Sequence, residues 1–310
     1  GRAAGAAESD EERLSDLANP LVGPAQTFWD WRAAMNWIFG GVSSGLAVAA
    51  WLASRAGIVA VEKLPALHAV AAVLMAIGLF FVFLKIGRKL RFWRALSRPQ
   101  TSWMTREIYV VAAFYAAVLA NLIRPGEWLS LASGVLAFAF LFCQAKILHR
   151  ARGIPAWRAP LIPWMIVASG LIEGFGLLVL LLAWGEGFDR MTPLLAVAGL
   201  ALAALNAALW VAYRITAAKQ GIVPLARRVI DAISPPLHML GHAFPAFMFV
   251  LALASPGIAL ACMLAGAAAA IAGGAYWKFM IVVRGGYQQG YSMPMLPQRG
   301  SGACAAPARL

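Results

Sequence analysis

The sequence predicts an all-α integral membrane protein: a bundle of about eight transmembrane helices with both termini cytoplasmic. Three observations lead there. Charged residues make up 13% of the 310 positions and hydrophobic ones 62%, whereas a soluble domain covers its surface with about 25% charged residues. Several apolar runs reach the roughly 20 residues that a helix needs to cross a bilayer. Basic residues are also strongly sided. With eight spans, only Arg55, Lys63, Arg124 and Arg190 fall on one side, and the other 22 of the 26 Lys and Arg share a side with both termini. The positive-inside rule places that side in the cytoplasm. The net charge of +13 is thereby explained by topology and anionic lipid headgroups rather than by nucleic acid.

Residues 1–28 read as a polar N-terminal tail rich in Ala, Gly, Asp and Glu, with Pro20 and Pro24 breaking any helix. The stretch lacks the basic start and apolar core of a signal peptide, so insertion is expected to begin at the first span. A transmembrane domain follows over 29–284, and a C-terminal tail over 285–310. The expected spans are Trp31–Ala53, Pro65–Leu84, Ile108–Ile123, Trp128–Leu148, Pro160–Trp184, Met191–Tyr213, Pro236–Ala254 and Ile258–Val283. A basic, aromatic connection joins spans two and three, and a second basic connection, 214–233, joins spans six and seven. Tryptophans near many span ends form the aromatic belt expected at headgroup depth. Gly41/Gly45 and the stretch AGAAAAIAGGA in span eight carry small-xxx-small spacings that predict close helix packing.

Of the three cysteines, Cys143, Cys262 and Cys304, none forms a CxxC pair, so no iron–sulfur cluster or metal site is expected in this chain. Glu173, near the middle of span five, is a charge inside a span and therefore a functional candidate. It reads either as a proton relay or as a neutral acid hydrogen-bonded to a neighbouring helix. Asn206 in span six reads as an interhelical hydrogen-bonding group.

At the expected cytoplasmic end more groups share a depth. Trp29, Arg32, Asn36 and Gly40 lie along one stripe of span one. Asp30 and Trp31 precede it, Arg106 and Glu107 open span three, Trp164 is near the start of span five, and His238 and His242 lie one turn apart on span seven. A quinone headgroup needs donors for two carbonyl oxygens and a route for protons. Arg, Asn, His and Trp supply donors, and Asp30 and Glu107 could pass protons. Taken singly, most of these residues also fit as interfacial anchors and helix caps. A b-type haem would need opposed axial histidines at mid-membrane depth. His149 with His238 or His242 gives no such depth, so haem is not expected.

The segment TFWDWRAAMNWIFGGVSSG resembles the first span of polysulfide-reductase/NrfD-type membrane subunits. SRPQTSWMTREIY resembles the connection before the third span in dimethyl sulfoxide reductase anchor subunits. EGFGLL and GYSMPMLPQRG resemble anchors of phenylacetyl-CoA:acceptor oxidoreductase and sulfite dehydrogenase complexes. The resemblance implies a non-catalytic, multi-pass anchor in a bacterial inner membrane. Such an anchor exchanges electrons between a four-cluster iron–sulfur subunit and the quinone pool (ubiquinone or menaquinone). A molybdenum or tungsten bis-pterin subunit performs the substrate chemistry. The resemblance places these partners on the face carrying the N-terminus, and the charge count puts that face in the cytoplasm, unlike members whose catalytic subunits are exported. Asp30, Trp31, Arg106 and Glu107, with Asn36, match the motif positions, and span one offers no quinone-binding histidine. A secondary transporter, or an anchor without a quinone site, is the alternative from other functional classes. A transporter would show inverted repeats and broken helices with polar groups at midplane; the sequence offers only Glu173 and Asn206 there.

Overall fold

In a computed structural model, residues 15, 16, 19, 22–86, 96–151, 153–185 and 187–288 are described. Most of the expected N-terminal tail, residues 87–95 of the first basic connection, and the C-terminal tail from 289 onward, Cys304 included, lie outside them. Eight helical segments are long and apolar enough to cross a membrane, as the sequence predicts.

The first is α1, Trp31–Arg55, capped by the Asp30 carboxylate, which accepts the Arg32 amide and so satisfies one of the free donors of the first turn. Next come α2, Leu64–Lys85, with Pro65 in its first turn, and α3, Trp103–Ile123. The expected start of span three at Ile108 is too late. The Ser102 hydroxyl accepts the Thr105 amide and starts the helix at Trp103. Helix α4 is Glu127–His149. A short α5, Pro155–Arg158, leads into α6, Ile162–Leu182, and then α7, Phe188–Thr216. The last is α10, Ala259–Val283.

Span seven differs from expectation. Residues assigned to the basic connection are helical from Pro224, and α8, Pro224–Pro236, runs through a π-helical segment, Leu237–Ala243, into α9, Phe244–Ala254. Pro235 and Pro236 lack amide protons and crowd the preceding turn. The wider π turn that follows absorbs the misfit without ending the helix. Helix α8 buries Ala226, Ile230, Ile233 and Ser234 and leaves Arg228 and Asp231 exposed. This amphipathic pattern reads as a polar connection when only its charges are weighed.

Helix α1 is the hub. It packs on α2 and α4 on one side and on α6 and α10 on the other. Its crossing with α6 is a backbone contact. A Cβ on Gly45 would run into the Gly170 carbonyl, and one on Gly174 would run into Gly45 and the Leu46 amide. Without a hydrophobic drive between helices in lipid, such small-residue contacts hold a bundle by packing. The described ends of the chain meet at one face. Ala25 and Tyr287 form an isolated antiparallel bridge, and Gln26 Nε2 donates to the Val282 carbonyl.

Candidate functional site

A line of polar groups crosses the interior from α10 to α4. Glu173 Oε2 and Lys278 Nζ stand 2.7 Å apart, and both side chains are 0% exposed. Glu173 Oε1 accepts the Ser169 hydroxyl at 2.9 Å, and the Trp277 indole donates to that same hydroxyl oxygen at 2.9 Å. Lys278 also donates to the Trp37 carbonyl at 3.3 Å. The Trp37 indole donates to the Gln144 carbonyl at 3.2 Å, and Gln144 Nε2 donates to the Asn36 carbonyl at 3.0 Å.

Helical direction explains how the ion pair forms. Side chains lean toward the N-terminus of their own helix. Because α6 and α10 run antiparallel, Glu173 leans toward the face where the chain ends meet and Lys278 leans away from it. Two glycines leave room for the pair: a Cβ on Gly274 would strike Glu173, and one on Gly41 would strike Lys278. Burying two charges costs several kcal/mol each unless pairing and further hydrogen bonds offset it. Here Ser169 and the Trp37 carbonyl supply those bonds.

The sequence-predicted mouth residues divide into a surface set and a buried set. Asp30 binds Arg32 through Nε at 3.0 Å and Nη2 at 2.6 Å. That guanidinium is the main reason the Asp30 carboxyl is held below the usual carboxylate range. Trp31 is half exposed and meets Phe81 edge-on, while Trp29 stacks on Trp157. Arg106 donates to the carbonyls of Pro99 at 2.8 Å and Gln100 at 2.7 Å and lies over the Trp103 ring. A cleft of about 580 Å³ opens there, lined by Trp29, Gln100, Trp103, Arg106, Ile147 and Arg150 among others.

Beneath this surface are Asn36 on α1, Glu107 on α3 and Gln144 on α4. Asn36 Oδ1, Glu107 Oε1 and Gln144 Oε1 are all buried without a hydrogen-bond partner. Each lies about one turn or slightly more inside the same end of its helix. The Glu107 carboxyl is also near enough to Cys143 to act on it electrostatically. Native interiors leave few buried polar atoms unpaired, so three at one depth need an explanation.

His238 and His242 do not join this group. They sit on the π-helical segment, ring nitrogens 3.4 Å apart, in a part of the bundle packed against α7 and α10. His242 instead lines a small void of about 10 Å³ with Asn206, Trp210 and Trp277, and Trp277 connects it to Ser169 and Glu173. Asn206 bonds the Ala168 carbonyl across helices at 3.2 Å, as expected. Trp164 is exposed and separate from the buried set. Among the described residues, no group of three or more His, Cys, Asp or Glu could hold a metal ion.

Sequence reasoning missed Lys278, Ser169 and Gln144. Lys278 reads as an interfacial lysine because long cations near a helix end usually reach for the headgroups. The signal against that reading was Gly274, one turn earlier, which opens an inward path.

A family model described as DMSO reductase anchor subunit (DmsC) matches residues 61–264. A sulfite dehydrogenase subunit of Allochromatium vinosum is 31% identical over 125 residues, covering 34% of this chain and 38% of that protein. The chain thus spans well under half the length of this relative.

Proposed function

Because the chain belongs to the DMSO reductase anchor subunit (DmsC) family, we propose that it exchanges electrons between an iron–sulfur subunit and the membrane quinone pool. The partners in this reading are a four-cluster iron–sulfur subunit and a molybdenum or tungsten bis-pterin subunit. They dock on the face where the described chain ends meet, assigned to the cytoplasm of a bacterial inner membrane by its basic residues. The dehydrogenase named in the relative favours substrate oxidation with quinone reduction.

The observation that carries this reading is the set of three unpaired buried oxygens, on Asn36, Glu107 and Gln144, beneath the Arg106 cleft. The donor and acceptor set fits a quinone and its reduced form. Two Arg106 nitrogens are committed to Pro99 and Gln100, and a guanidinium keeps further N–H donors for a ligand carbonyl. The orphan oxygens would accept the hydroxyl protons of a reduced ring that reached them. Quinone supplies a two-electron, two-proton acceptor. Arg106 orients the ring, Glu107 Oε1 holds and releases a proton, and the packed interior around Gln144 excludes water. Asp30, Trp31 and Arg32 shape the entrance, where Asp30 fixes Arg32. Glu173 is assigned a proton-relay role through Lys278 and Ser169. His238 and His242, across the bundle, could join the site only through Trp277 and Ser169.

The test uses the assembled complex. Glu107→Gln and Asn36→Leu should lower quinone reduction at least tenfold and weaken a fluorescent quinol analogue. Turnover with a soluble dye acceptor should stay unchanged. Unaltered quinone reduction and analogue binding in both variants would defeat the assignment.

A further inference from the structure

The opposite end of the bundle carries a second cavity that the electron-transfer reading does not use. Helices α1 and α7 both pack on α6. They leave a slot with α6 as its floor, walled by residues such as Leu52 on α1 and Ala198 on α7, with Phe175 beneath. Its volume is about 340 Å³ and its lining is wholly apolar. The slot shares Ala56, Ile58 and Leu194 with a wider mouth of about 720 Å³ that contains Arg190. The mouth and slot therefore adjoin, one with a cation in its lining and the other lined by hydrocarbon. Trp184, almost fully exposed on the adjoining turn, marks headgroup depth at this end. Among the described residues nothing pairs with Arg190, and the exposed Asp189 beside it does not line the mouth.

We propose that this space binds a phospholipid, its phosphate on Arg190 and one acyl chain in the slot between α1 and α7. The apolar lining and the single cation at its mouth select the occupant. A hydrocarbon chain matches the lining of the slot, and a phosphate matches Arg190. A quinone has an apolar tail but no anion for Arg190. An anionic headgroup is favoured over a zwitterionic one because Arg190 is the only charge lining the mouth among the described residues. This inference is independent of the quinone assignment at the other face.

The intact complex, washed in detergent until lipid is limiting, is titrated with radiolabelled phosphatidylglycerol and separately with phosphatidylcholine. The wild type should retain about one more equivalent of phosphatidylglycerol than Ala198→Trp, which fills the slot. Arg190→Gln should weaken retention about fivefold, the effect of one basic residue near the surface. Phosphatidylcholine should be held more weakly than phosphatidylglycerol by the wild type. Equal retention by wild type and Arg190→Gln overturns the proposal even if Ala198→Trp fails to assemble. So does equal retention of the two lipids. A photocrosslinker on Leu52→Cys should label lipid, and a protein adduct would show that a partner helix covers the slot instead.

Discussion

Lys278 Nζ lies 2.7 Å from Glu173 Oε2 in a part of the bundle that neither side chain shares with solvent. The pair joins α10 to α6, and the Lys278 bond to the Trp37 carbonyl adds α1. Removing one partner strands the other. Lys278→Met or Glu173→Leu should each cost about 3–5 kcal/mol, whereas the Glu173→Leu/Lys278→Met double variant should return close to wild type. Thermal unfolding in one detergent measures all four proteins, and simple additivity in the double variant would contradict the pairing argument. The double variant also separates two roles. Restored stability with lost quinone turnover supports a proton relay, and recovery of both identifies a structural lock.

Arg106 holds the turn before α3 through two carbonyls and covers Trp103. Arg106→Ala should therefore slow quinone reduction about tenfold or more while dye-linked turnover persists. Arg106→Lys should not rescue it, because an ammonium cannot reproduce the planar fork that serves two acceptors and a ring at once. Equal loss of both activities would mean failed assembly, and full rescue by lysine would remove the geometric argument.

Length and apolarity made the eight spans legible, and the glycine spacing of Gly41 and Gly45 announced close packing without saying that α6 is the partner. What stayed hidden depends on directions in three dimensions. His238 and His242 were expected at the depth of Asn36 and Glu107, yet depth says nothing about position around the bundle, and the histidines' segment packs against α7 and α10. Lys278 is ordinary by sequence position and becomes exceptional only because its side chain turns inward past Gly274. Gln144 looked like one polar residue near a helix end until its amide was seen bonded to the Asn36 carbonyl. The start of α8 was lost because Pro235 and Pro236 are strong breakers, and only the π turn shows how the helix survives them.

The crossing of α1 and α6 predicts a sharp contrast among glycines. Gly174→Val places carbon atoms where the Gly45 and Leu46 backbones already stand. Overpacking of this kind costs about 1–3 kcal/mol, or more where only backbone could yield. Gly153→Ala, with open space around its Cβ position, should change stability by less than about 0.5 kcal/mol. Yield of folded protein and unfolding temperature check both. Tolerance of valine at 174 would mean the two helices are not in backbone contact.

Asp30 gives a pH test with a defined sign. Its pKa is lowered in the folded protein, chiefly by the side-chain hydrogen bond from Arg32. A carboxyl depressed on folding contributes stability that is present above its unfolded pKa, near 3.8. That contribution is lost as pH falls through the lower folded value. Asp30→Asn keeps a side-chain oxygen able to cap α1 and removes only the charge. Near neutral pH the variant should unfold at a lower temperature than the wild type. The gap should narrow once acid titrates Asp30 below about pH 4 and close when the carboxyl is fully protonated. Unfolding temperatures of both proteins across that range decide the matter. A constant gap would mean that the carboxylate charge, and with it the Arg32 pairing at the entrance to α1, contributes nothing to the fold.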